Sequence, residues 1–112
     1  MYDLIIIGGG PGGYVAAERA AARGLKVLLA EHRQLGGVCL NEGCIPSKTL
    51  LHSAKIYQHT RHGAAYGVKA EGVTFDFAAV QARKGKVMDT LRKGVAGLMK
   101  KHKVEVVNGR AT

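Results

Sequence analysis

Cys39 and Cys44 are the only two cysteines in the 112-residue chain, and four residues separate them. Met1 leads almost directly into an apolar segment, without the basic start and small-residue cleavage site of a secretory signal. In such a chain a lone close pair is more often redox-active or metal-binding than structural. The spacing constrains a bridge. Residues five apart on a regular helix differ by about 140° and their Cα atoms lie roughly 8.6 Å apart, whereas a disulfide needs about 4.4–6.8 Å. The backbone must therefore be irregular here, and Gly43 and Pro46 supply the means. The expected result is a distorted first turn at a helix N-terminus. That location lowers thiol pKa and favours the thiolate, and a short strained loop is easily reduced. Zinc would need two more ligands, and His32, His52, His59, His62 and His102 form no matching cluster, so no metal is expected. A structural disulfide or two inert thiols are the remaining alternatives.

A second group of residues could hold phosphate. Gly8-Gly9-Gly10-Pro11-Gly12-Gly13 fits G-x-G-x-x-G between an apolar run and an alanine-rich one. In that fingerprint Gly8 makes the tight turn, Gly10 lets a pyrophosphate approach the backbone, and Gly13 lets helix and strand pack closely. The helix start offers unpaired N–H groups and partial positive charge. Glu31 follows a little over the usual ~20 residues later, where a carboxylate accepts ribose hydroxyls and repels a 2′-phosphate. FAD or NAD is favoured over NADP, and the loop alone does not choose between them. A glycine-rich turn with an incidental surface glutamate is the bland alternative.

These residues need a scaffold. Tyr2 to Ile7 is continuously apolar after Asp3, which fits a strand buried on both faces. Tyr14 to Arg23 is a strong helix former with Gly24 as its C-terminal cap, and Lys26 to Glu31 is a second strand, completing a βαβ unit. A loop over His32 to Gly37 leads to the cysteines, and a helix is expected from about Ser47 to His62. Gly63 to Gly72 is irregular. Asp76 is a good N-cap for a long helix ending near Lys101, with Phe77, Val80, Val87, Leu91, Val95 and Leu98 on one apolar face. Val104 to Val107 is a third strand. The fold class is α/β, a Rossmann-like dinucleotide-binding domain with a parallel sheet, incomplete in this chain. Residues 1–112 are expected to form its N-terminal portion, with the phosphate loop at 8–13 and the cysteine segment at 36–48.

Composition narrows the alternatives. Hydrophobic residues make up 46% and charged residues 22%, the balance of one ordinary globular domain with one core. The net charge of +9 invites a nucleic-acid reading, but aromatics are only 5% and no helix-turn-helix or zinc-finger spacing is present. Much of the excess lies between Arg83 and Lys103, where it fits the solvated face of a long helix. Nucleic acid is not an expected partner, although a basic surface could attract an acidic protein. The longest apolar run, Leu4 to Ile7, is far too short to span a bilayer, so a cytoplasmic or organelle-matrix setting is expected, with no membrane partner.

The segment Gly36-Gly37-Val38-Cys39-Leu40-Asn41-Glu42-Gly43-Cys44-Ile45-Pro46-Ser47-Lys48 resembles the redox motif of class I pyridine nucleotide–disulfide oxidoreductases. Ile45 to Leu51 looks specifically like the dihydrolipoamide dehydrogenase branch. Glutathione and thioredoxin reductases usually carry lysine where Ser47 stands, while mercuric reductase can share the serine. The resemblance runs on through Asp76, Lys84 to Val87, Leu91 to Leu98 and Val104 to Gly109. It implies bound FAD, with Gly8, Gly10, Pro11, Gly12 and Gly13 at the pyrophosphate and Glu31 at the adenosine ribose. His32, Gly36, Gly37, Val38, Cys39 and Lys48 fall at further cofactor positions, Lys48 near the flavin ring, and Ala111 at a main-chain contact to adenine.

By the same resemblance Cys39 and Cys44 form the redox disulfide, Cys39 as interchange thiol and Cys44 as charge-transfer thiol. Dihydrolipoamide on a lipoyl carrier domain would be the reductant and NAD the co-substrate, within a 2-oxo-acid dehydrogenase complex. The full-length protein would be a homodimer. The catalytic His–Glu pair, the NAD domain and the dimer interface are expected beyond Thr112, so these residues alone are not expected to be active. Two departures stand out: the His32 to Leu35 loop is one residue shorter than is common, and Glu42 replaces a residue usually apolar or bulky. Another class I reductase, of the mercuric or glutathione type, and a non-catalytic dinucleotide-binding module are the competing functions.

Overall fold

A computed structural model describes residues 1–112. Strand β1 (Leu4–Ile7), helix α1 (Pro11–Ala22) and strand β2 (Val27–Glu31) open the chain. The two strands pair in parallel, from Leu4 opposite Val27 to Ile7 opposite Ala30, so α1 is a crossover. The helix begins three residues before Tyr14 because Pro11 occupies its first turn, where a preset φ helps and a missing N–H costs nothing. Gly24, at φ +88°, closes it by donating its N–H to the Ala21 carbonyl.

The chain continues through α2 (Gly37–Asn41), α3 (Cys44–Arg61), a 3-10 turn at Gly63–Tyr66, α4 (Phe77–Lys101) and β3 (Glu105–Asn108). Asp76 caps α4 as expected, its carboxylate accepting from Ala79 N–H at 3.1 Å. Strand β3 pairs in parallel with β2, giving the order β1-β2-β3. The architecture is the α/β start of a Rossmann-like domain.

One expectation is corrected. Strand β1 is not buried on both faces. Leu4 and Ile6 pack on the core, while Ile5 and Ile7 are 58% and 74% exposed. The cause is one-sided cover: Ala17 of α1 and Met99 of α4 meet Val27, Leu29 and Val104 on one face of the sheet. Ile5, Ile7 and Val107 lie on the other face and remain exposed. Nor is the α4 stripe uniformly buried. Leu98 and Met99 reach the core, whereas Phe77 and Leu91 are exposed.

Helices α3 and α4 pack together, and Tyr57 of α3 makes an edge-to-face contact at 5.3 Å with Phe75, in the segment that leads into α4. The molecule measures 64 × 26 × 17 Å, with a radius of gyration of 19.4 Å. A compact chain of this length would have about 13 Å. Arg83, Lys86, Lys93, Lys100, Lys101 and Lys103 are exposed, in keeping with a solvated basic face. No helix is long and apolar enough to cross a membrane.

Candidate functional site

The site assembles where β1 and β2 end. Gly8 leaves β1 at φ +103°, a conformation that side chains disfavour, and donates its N–H to the Ala30 carbonyl at 2.8 Å. Gly13 sits so close to the strand that a Cβ there would lie 1.8 Å from the Gly8 carbonyl oxygen. Above the loop the space is open, for a Cβ on Gly8 or Gly12 would meet nothing within 4 Å. No side chain caps the start of α1, and its first-turn N–H groups have no intrahelical acceptor. A cradle of bare backbone donors with open space above it fits a pyrophosphate.

Glu31, buried at the end of β2, accepts from Gly9 N–H through Oε2 and from Arg33 N–H through Oε1, each at 2.7 Å. Partial burial opposes its charge. The backbone donors of Arg33, Gly9 and His32, with the His32 ring 3.5 Å away, outweigh burial and hold the carboxyl below its ordinary range. Each oxygen keeps a second lone pair for a ribose hydroxyl.

The cysteine segment lies directly against this loop. Gly36 and Gly37 take φ +101° and +63°, and Gly36 N–H donates to the Gly9 carbonyl at 2.8 Å. A Cβ on Gly37 would stand 2.7 Å from Gly10 Cα, so the two backbones touch where side chains would not fit. Cys39 then rides on α2, anchored by buried Leu40. The chain breaks at Glu42 and Gly43, and Cys44 opens α3. The irregular backbone required by the cysteine spacing is present, but Gly43 makes the break. Pro46 sits in the first turn of α3, where no N–H is needed.

Both cysteines are free thiols, Cys39 half-buried and Cys44 exposed. The expectation of a lowered pKa is overturned for Cys39. A hydrogen bond that the Cys39 thiol donates to the Cys44 sulfur, with loss of hydration and the charge of that sulfur, pushes Cys39 up from 9.0, and the Cys44 backbone N–H and Lys48 only partly offset this. Cys39 stands within α2 rather than at the start of a longer helix, so the helix-start effect does not dominate.

The structure thus brings together the 8–13 loop, Glu31, Gly36, Gly37, Val38 and Cys39. A cavity of about 470 Å³ beside them is lined by Glu31, His32, Arg33, Gln34, Gly37, Val38, Asn41 and Glu42. A bond from Gly109 N–H to the Glu31 carbonyl, 2.8 Å, brings the segment that leads to Ala111 to the same end of the sheet. His32 is exposed, beside Glu31. Three side-chain links went unread in the sequence. Asn41 donates to the Leu35 and Gly37 carbonyls. Arg33 pairs with Glu42. Arg92 of α4 donates to Gln34 Oε1 at 2.8 Å. The unusual acid at Glu42, nine residues after a basic one, was the available signal for the second link.

Residues 2–112 match the family model described as pyridine nucleotide-disulphide oxidoreductase. A dihydrolipoyl dehydrogenase of Geobacillus stearothermophilus is 52% identical over 109 residues, 97% of this chain and 23% of the relative. One from Bacillus subtilis is 53% identical over 108 residues, 96% of this chain and 23% of the relative. A leghemoglobin reductase of Vigna unguiculata is 51% identical over 109 residues, 96% of this chain and 21% of the relative. The chain therefore spans less than a quarter of the length of these relatives.

Proposed function

Since this chain belongs to the pyridine nucleotide-disulphide oxidoreductase family, we propose that it is the N-terminal, FAD-binding and dithiol-bearing part of a dihydrolipoyl dehydrogenase. The observation that supports this most directly is the backbone contact of Gly37 with Gly10, which sets a thiol pair beside a phosphate cradle. Gly8, Gly10, Pro11, Gly12 and Gly13 would hold the FAD pyrophosphate, Glu31 the ribose, and His32, Gly36, Gly37, Val38, Cys39, Lys48 and Ala111 the rest. FAD, when bound, supplies a two-electron acceptor for the dithiol and a hydride donor for NAD⁺.

The sulfur chemistry belongs to this chain. In the oxidised pair, a dihydrolipoamide thiolate attacks Cys39 Sγ, a new S–S bond forms, and Cys44 leaves as thiolate. The second substrate thiolate attacks the substrate sulfur of that mixed disulfide and expels Cys39. The substrate loses two electrons and two protons and closes its own disulfide. The cysteines gain both electrons and become a dithiol. Cys39 leaves as a thiolate and then takes up a proton, which its raised pKa favours in the reduced pair. Lys48, whose charge already acts on Cys39, would favour negative charge on the reduced cofactor.

The reading extends to a homodimeric full-length protein in the cytoplasm, serving a 2-oxo-acid dehydrogenase complex through its lipoyl carrier. Turnover by the full-length protein of dihydrolipoamide with NAD⁺, but not of Hg²⁺ with NADPH, is the expected result. Partial reduction is expected to raise a long-wavelength charge-transfer band that Cys44→Ser abolishes. Failure on dihydrolipoamide, or turnover retained without both cysteines, overturns the proposal.

A further inference from the structure

We infer that Asn41 is a positioning residue that holds the Cys39 helix in register with the phosphate loop, so that dinucleotide affinity and Cys39 reactivity both depend on one side-chain amide. The inference rests on the FAD reading above for its first half and on geometry alone for its second.

Asn41 closes the five-residue helix α2. A helix this short has little stability of its own, because nucleation is hardly repaid by its few bonds. Something outside it must fix its direction. The Asn41 Nδ2 group donates twice, to the Leu35 carbonyl at 3.1 Å and to the Gly37 carbonyl at 2.9 Å. These carbonyls bracket Gly36 and Gly37, the two residues with left-handed φ that turn the chain onto the phosphate loop.

The Leu35 carbonyl is the decisive partner. It shares one planar peptide group with Gly36 N–H, and that N–H donates to the Gly9 carbonyl at 2.8 Å. Rotating this peptide would break both bonds together. Gly9 in turn donates its own N–H to Glu31 Oε2 at 2.7 Å. A continuous relay therefore runs from Asn41 through the 35–36 peptide and Gly9 to the carboxylate at the end of β2. Cys39 lies two residues before Asn41 on the same helix, so the relay ties its position to the loop.

The other end of the amide carries the cost of this arrangement. Asn41 Oδ1 is buried without a hydrogen-bond partner. Leaving a buried acceptor unpaired is unfavourable, and the amide accepts it in order to aim both N–H bonds at the two carbonyls. An apolar residue at this position would avoid the orphaned oxygen and lose the link.

The test uses the full-length protein with Asn41→Ala, Asn41→Asp and Asn41→Ser. Aspartate keeps the shape but sets an acceptor against two carbonyls. Serine can still return a bond to the Gly37 carbonyl four residues back, as Thr49, Thr60 and Thr90 do at the same spacing, and loses only the Leu35 bond. FAD affinity is read by fluorescence titration. Cys39 alkylation is read in reduced, FAD-free protein, with each cysteine followed by peptide mass.

Asn41→Ala, which removes both bonds, is expected to weaken FAD binding by about tenfold, within the scale of two lost hydrogen bonds. Asn41→Asp should lose more, Asn41→Ser less, and Cys39 alkylation should accelerate several-fold in the same order. FAD affinity within about twofold of the parent, with unchanged Cys39 alkylation, overturns the inference even where the unfolding midpoint falls. Should alanine and aspartate variants fail to fold, serine decides by the same two readouts. A parent protein that binds no FAD refutes the proposed function instead, and the alkylation order still decides the role of Asn41.

Discussion

Two adjacent glycines of the phosphate loop should respond to the same methyl group with opposite signs. A Cβ at Gly13 would lie 1.8 Å from the Gly8 carbonyl oxygen and 2.9 Å from its carbon. Both are backbone atoms at the end of β1, so no side chain can swing aside. To open the closer contact to 3.0 Å, helix and strand must separate by about 1.2 Å. Overpacking typically costs about 1–3 kcal/mol, and rigid backbone on both sides places Gly13→Ala near about 3 kcal/mol. At Gly12, also in the first turn of α1, a Cβ meets nothing within 4 Å. Alanine there gains up to about 1 kcal/mol of helix propensity. The two variants, identical in composition, should differ by about 4 kcal/mol, roughly a thousandfold in unfolding equilibrium. Urea titration of FAD-free protein by circular dichroism measures the difference. Gly12→Ala should also weaken FAD binding, because its methyl enters the space assigned to the pyrophosphate. Equal stability of the two variants, within about 1 kcal/mol, would refute the close-packing argument.

Three further outcomes are expected. Glu31 has a folded-state pKa below its ordinary 4.5, so its contribution to stability is complete above that value and is lost as pH falls through the folded-state pKa. Urea midpoints of the parent should therefore drop more steeply than those of Glu31→Gln on acidification below about pH 4.5; parallel profiles would count against the bonds from Gly9 and Arg33. In reduced protein, Cys44→Ala should lower the pH midpoint for Cys39 alkylation toward 9.0, and Lys48→Gln should raise it, because Cys44 pushes that thiol up and Lys48 pulls it down. An unmoved midpoint in both would show that the thiols act independently. Asp76→Ala should lower stability by about 1 kcal/mol through loss of the α4 cap, and Asp76→Asn should retain most of it in the same titration.

Residues whose type is forced by backbone geometry were legible in the sequence. Gly8 and Gly13 stand where a side chain would strain the chain or strike another backbone, and their spacing disclosed strand, turn and helix in order; Gly37, which meets Gly10 in the same way, was reached only through the resemblance of its segment. Asp76 was legible for a related reason, since capping needs a short acceptor immediately before an apolar-periodic run. The two-sided burial expected of β1 was not legible. Continuous apolar character records what a strand tolerates on each face, and Ile5 and Ile7 remain exposed because α1 and α4 cover the other side. The start of α3 was also displaced, by three residues. The expected start near Ser47 lay after Pro46, yet proline fits within a first turn, and the dihedrals of Gly43 set the true start at Cys44.

The links that hold the site were hidden for a different reason. Asn41, Arg33 with Glu42, and Arg92 with Gln34 join segments whose separation in sequence ranges from 4 to 58 residues, and polar side chains carry no periodic signature. They matter because the hydrophobic core is small and lies on one face of the sheet. That core is Ala17, Val27, Leu29, Met99 and Val104, and none of these residues belongs to the cysteine helix. The position of Cys39 is therefore set by the burial of Leu40 beside it, by backbone contact with Gly9 and Gly10 and by the side chains that keep the contact closed. Under the proposed function the distance from the thiols to the cofactor must be fixed, and most of the fixing would be polar and local. Substitutions in the core should change the stability of the sheet as a whole, while a change at the 35–36 peptide or Asn41 should alter how the thiols meet the dinucleotide before it alters whether the chain folds.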